Sequence, residues 1–136
     1  MHRVRVTILP LLAACSLAAA SRSVWDGVYT KEQAGRGQKA YQEECMKCHG
    51  ENLAGGEAAP PLAGAEWVAK WNGKTAGDLF GLTRKTMPTD DPGNLSSRQY
   101  SDIVAYILSG NEFPAGQKEL DRDPAVLNEI RIEAKR

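Results

Sequence analysis

The sequence predicts a small all-α domain. Three observations lead there. Helix-start signals recur at Thr30, Thr75 and Ser96. No stretch shows a convincing strand alternation. A Cys-x-x-Cys-His motif, Cys45-Met46-Lys47-Cys48-His49, closes the first predicted helix.

The helices follow in order. Thr30-Lys31-Glu32-Gln33 reads as a capping box, and a helix can run from 31 to about 45. Gly37, Tyr41 and Cys45 share one of its faces, and mid-helix Gly37 suggests close contact with another helix. Residues 50–64 are rich in Gly, Ala and Pro and read as loop. Trp67 and Trp71 sit one helical turn apart. Thr75-Ala76-Gly77-Asp78 opens a short helix that ends near Lys85, with Leu79, Phe80 and Leu82 inward. Asp90, Asp91, Pro92 and Gly93 mark a turn. Ser96 to Gln99 is a capping box leading a helix through Tyr100, Ile103, Val104, Ile107 and Leu108, with Gly110 as its stop. Asp123-Pro124 starts a last helix with Val126, Leu127 and Ile130 as its apolar face.

The chain has 136 residues, enough for one domain plus a presequence. Apolar residues make up 42%, and basic and acidic residues number 17 each. This even balance argues against nucleic acid as a partner. No apolar run reaches the length of about 18 residues that a membrane span needs.

Residues 1–20 read as a secretory signal. Arg3 and Arg5 supply the positive start, residues 6–14 the apolar stretch, and Ala18-Ala19-Ala20 the cleavage site. Leu12-Ala13-Ala14-Cys15 gives an alternative, a lipoprotein signal over 1–14 with Cys15 lipidated. Either way the product is exported, and it meets a membrane only if Cys15 carries lipid. The remaining chain divides into an extension over 21–29, a domain over 30–113 and a tail with a short helix over 114–136.

Removing the presequence sharpens the cysteine count. Cys15 leaves the set of free thiols, and only Cys45 and Cys48 remain. In an oxidising compartment such a pair is oxidised, metal-bound or haem-bound. A structural zinc site needs four ligands, whereas two Cys and one His are present. A thioredoxin-like dithiol wants a βαβ pattern, which is missing. Cys-x-x-Cys-His is the attachment signature of c-type haem, with Cys45 and Cys48 each bonded to one porphyrin vinyl and His49 under the iron. One haem c is therefore expected.

The sixth ligand follows by elimination. His2 leaves with the presequence, so His49 has no second histidine to pair with. Met1 leaves too, and Met46 is tethered between the cysteines on the His49 side. Met87, in Thr86-Met87-Pro88, is the remaining thioether. His49 and Met87 as axial ligands would close both positions and raise the reduction potential. Without Met87, a five-coordinate gas-binding or peroxidatic haem protein becomes the reading.

Other contacts are suggested by position. Pro60 or Pro61 can offer a carbonyl to Nδ1 of His49, as metal-bound histidines usually require. Leu62 can pack on the ring. A Trp N–H in the 67–71 segment, Trp71 among the candidates, can reach a haem propionate.

These residues together resemble the class I monohaem cytochromes c. The resemblance rests on Gly37, Tyr41, Cys45, Cys48, His49-Gly50, Pro61-Leu62, Thr86-Met87-Pro88 and Asp102-Ile103-Val104-Ala105-Tyr106-Ile107-Leu108. It implies a small cytochrome c fold, with N- and C-terminal helices crossing near Gly37 and Tyr106 around the haem. It implies a periplasmic electron carrier, not an enzyme, serving redox protein partners. Val24-Trp25-Asp26-Gly27-Val28-Tyr29 and Asn111-Glu112-Phe113-Pro114-Ala115-Gly116 are similar to the branch associated with quinoprotein dehydrogenases. On that likeness the partner is a periplasmic quinoprotein dehydrogenase, or else a terminal oxidase.

Overall fold

A computed structural model describes residues 21–135. The expected presequence and Cys15 lie outside the described residues. The elements run β1 (Arg22–Ser23), α1 (Lys31–Glu44), α2 (Met46–His49), α3 (Ala65–Trp71), α4 (Ala76–Thr86), α5 (Ser97–Gly110), α6 (Pro124–Leu127) and β2 (Ile130–Arg131). The fold is mostly helical, as expected, and no described helix is long and apolar enough to cross a membrane.

The starts of α1, α4 and α5 form as the sequence predicts. Thr30, Thr75 and Ser96 adopt extended backbone, and each side-chain oxygen accepts from the backbone N–H three residues on. At α4 and α5 the reciprocal bond closes the box, through Asp78 and Gln99. At α1 it does not. Gln33 is buried, and its amide turns away from the helix end to grip the tail. Its Nε2 donates to the Leu120 carbonyl at 3.0 Å, and its Oε1 accepts from the Leu120 N–H at 2.6 Å. A tertiary partner thus displaces the local one.

Helix α1 packs most extensively against α5. The closest approach is at Gly37, where a Cβ would overlap the Asp102 carbonyl and lie 3.0 Å from Cβ of Tyr106. The expected role of Gly37 as a contact point is therefore met. Tyr41 and Tyr106 stack obliquely beside it, with ring centroids 5.3 Å apart. Arg36 ties the same pair to the tail, bonding Asp102 at 3.0 Å and Glu119 at 2.8 Å.

Three expectations are corrected. Two strands exist where none was expected: β1 and β2 pair in parallel, Arg22 with Ile130. Two residues each are too few to show any alternation in sequence. Ile130 belongs to β2, because α6 ends at Leu127. Leu82 is 49% exposed rather than inward, since only Leu79 and Phe80 face the core from this part of α4. Helix α5 ends at Gly110 as expected, and a Cβ there would overlap Cδ1 of Leu53.

The tail is docked along the domain. Leu120, Leu127, Ile130 and Ile132 are buried. Ile132 exchanges backbone bonds with the α3–α4 turn, donating to Lys74 and accepting from Gly73, both at 2.8 Å. Trp25 donates its ring N–H to the Glu133 carbonyl at 2.9 Å. The expected last helix forms with Asp123 as its cap and Pro124 in its first turn.

Candidate haem-attachment site

The motif sits where the chain turns out of α1. Cys45 caps α1, its N–H bonding the Tyr41 carbonyl at 2.8 Å, and the four-residue α2 carries Cys48 and His49. One helical turn therefore holds both thiols and the imidazole on adjoining positions. Both cysteines are free and half-buried. Burial pushes the Cys45 thiol up to about 11, with the Glu44 carboxylate and Cys48 adding to the effect. A thiol kept protonated attacks disulfides poorly, which lowers the reactivity of Cys45 before attachment.

His49 is 7% exposed, and its Nδ1 lies 2.9 Å from the Pro60 carbonyl. Only a ring N–H can satisfy a carbonyl, so Nδ1 carries the proton and Nε2 keeps its lone pair for a metal. Of the two expected prolines it is Pro60, not Pro61, that holds the ring. Pro61 is half-buried with its ring against Gly55, and Leu62 packs on the core while its N–H bonds the Leu53 carbonyl at 2.9 Å.

Met87 caps α4 in an extended conformation, before a cis bond to Pro88. Its N–H returns to Thr83 at 2.8 Å, and its carbonyl accepts from the Tyr100 hydroxyl at 2.7 Å. The side chain is half-buried. These two bonds hold both polar backbone groups of the position that carries the thioether.

Trp67 and Trp71 are both buried, with ring centroids 5.9 Å apart. Trp71 lies beneath the Lys74 ammonium, 5.1 Å from its ring centroid. The N–H of Trp67 is buried without any partner. Such an orphan costs about 1–3 kcal/mol. A haem propionate would supply the acceptor, so among the two tryptophans Trp67 is the better candidate. Among the described residues no group of three or more His, Cys, Asp or Glu side chains gathers as a metal cluster.

A protein-family model, described as cytochrome c oxidase, cbb3-type, subunit III, matches residues 32–107. The chain belongs to this family of c-type cytochromes. Membership implies covalently bound haem c. The match to this cytochrome runs from the first turn of α1 to the last turn of α5 and contains the motif, Pro60, Trp67 and Met87. Neither the curated proteins nor the solved structures yield a match to the cytochrome.

Asn111 escaped the sequence reading as a site residue. Its amide bonds the Leu62 carbonyl at 2.9 Å and the Gly64 N–H at 3.0 Å, reaching into the loop that carries Pro60. Asparagine just past a helix normally signals only its end, so no local pattern announces this role.

Proposed function

We propose that this cytochrome is an exported one-electron carrier with a single haem held by Cys45 and Cys48. The haem supplies a ferric–ferrous couple. His49 and Met87 are its axial ligands, and together they leave no open position for substrate. The observation that carries the reading is the His49–Pro60 contact at 2.9 Å. It fixes the imidazole with Nε2 free, and a carbonyl on Nδ1 strengthens the nitrogen as a donor. The Tyr100–Met87 bond supports the opposite side. Ligands fixed by backbone bonds change position little when charge changes, which suits electron transfer.

The partners are redox proteins. The family description names an oxidase subunit, which favours a terminal oxidase. The two segments that suggested a quinoprotein dehydrogenase have an internal explanation. Trp25 meets Phe113 edge-on at 5.0 Å, and Gly116 donates to the Tyr29 carbonyl at 2.7 Å. These segments form one joint within the domain, so they argue less for a particular partner. Residues 1–20 fit export, and the product meets a membrane only if Cys15 carries lipid.

Optical spectroscopy of the purified protein tests the assignment. A covalently retained haem is expected, with the weak long-wavelength band of thioether–ferric haem and no carbon monoxide binding after reduction. Ready carbon monoxide binding without that band would instead establish the five-coordinate reading.

A further inference from the structure

The segment that holds His49 is itself held by one side chain. We propose that Asn111 is a positioning residue for the His49 imidazole, acting through the backbone of residues 62–64. The inference rests on the reading of His49 as an axial ligand.

Pro60 is exposed and lies in a loop with little regular structure. Upstream, one short turn steadies it, Gly56 N–H to the Ala59 carbonyl at 2.9 Å. Downstream, the anchors converge on the end of α5. Asn111 uses both ends of its amide: Nδ2 donates to the Leu62 and Ile107 carbonyls, each at 2.9 Å, and Oδ1 accepts from Gly64 N–H at 3.0 Å. The loop is thereby bolted to the last turn of the helix. Leu53 completes the arrangement. It is 1% exposed with φ at +64°, a conformation an L-residue adopts at a cost, and it rests on Gly110. Its carbonyl accepts from Leu62 N–H. The residues flanking Pro60 thus have fixed positions because α5 ends in Gly110-Asn111.

No other side chain of this size donates and accepts in the same plane. Alanine releases the loop, and aspartate places a carboxylate against two carbonyls. Either change lets the Pro60 carbonyl drift from Nδ1. A weaker bond there makes the imidazole a poorer donor, which favours the ferrous state.

The test uses the haem-loaded protein with Asn111→Ala, Asn111→Asp and, as a distant control, Asp123→Ala, which removes the α6 cap. Both Asn111 variants should exchange the His49 Nδ1 proton about tenfold faster and show a higher reduction potential. The Asp123 variant should change neither. Unchanged exchange and potential in the Asn111 variants would overturn the inference, as would equal changes in the control. Wild-type nuclear magnetic resonance separates the two readings. Absence of paramagnetically shifted His49 ring signals would overturn both, whereas shifted signals insensitive to Asn111 would overturn this inference alone.

Discussion

The Tyr100 hydroxyl donates to the Met87 carbonyl across 2.7 Å. Tyr100 is 1% exposed, and its ring meets Phe80 edge-on at 6.5 Å. The first turn of α5 therefore holds the loop that presents the proposed sulfur ligand, while packing and hydrogen bonding remain separable. Tyr100→Phe keeps the ring and removes the bond. A net loss of about 1 kcal/mol is expected, or about fivefold more of the form with Met87 detached. The thioether band should disappear at lower urea than in wild type, while helix content is retained.

Met87→Ala addresses the ligand directly. The N–H of this position still reaches Thr83, so α4 keeps its end. Covalent haem should stay, because Cys45 and Cys48 are untouched. The iron should open to carbon monoxide and its potential should fall, since a thioether raises it. Voltammetry showing an unchanged potential would contradict the assignment of Met87.

Gly37→Ala should destabilise although alanine is the better helix former. The propensity gain is about 1 kcal/mol. The new methyl would overlap the Asp102 carbonyl, a backbone atom that cannot turn aside. Forcing α1 from α5 costs about 1–3 kcal/mol or more. A lower urea midpoint is the expected outcome.

Ile132 joins the tail to the α3–α4 turn and is fully buried. Ile132→Ala should cost about 2–5 kcal/mol. The orphan N–H of Trp67 lies in the helix just before that turn. The variant should therefore alter tryptophan fluorescence as well as the melting temperature; an unchanged melting temperature would mean that the tail is dispensable.

The features that could be read from sequence are those whose physics is local. Thr75 and Ser96 bond N–H groups three residues away, so their role follows from the tetrapeptide. Cys45, Cys48 and His49 are fixed relative to one another by a single helical turn. Gly37 was legible because a glycine inside a helix needs a reason. Gln33 was misread because its partner, Leu120, is 87 residues away and outcompetes the helix end. Leu82 was misread because apolarity alone does not say which side of α4 faces the core. Pro60 and Pro61 are neighbours of identical chemistry, and only the loop's path chooses between them. Asn111 was invisible as a site residue because its bonds to residues 62 and 64 exist only once the loop has folded back.

The two anchors have one property in common: Tyr100 lies in α5 and Asn111 is the residue that caps it. Tyr100 grips the Met87 side near its start, and Asn111 grips the His49 side just past its end. Eleven residues separate them, about 16 Å of helix at about 1.5 Å per residue. One rigid rod thus holds both the backbone of Met87 and the loop that carries Pro60, the carbonyl partner of His49. A mutation that bent or unwound that rod would disturb the surroundings of both proposed ligands at once, even if it touched neither.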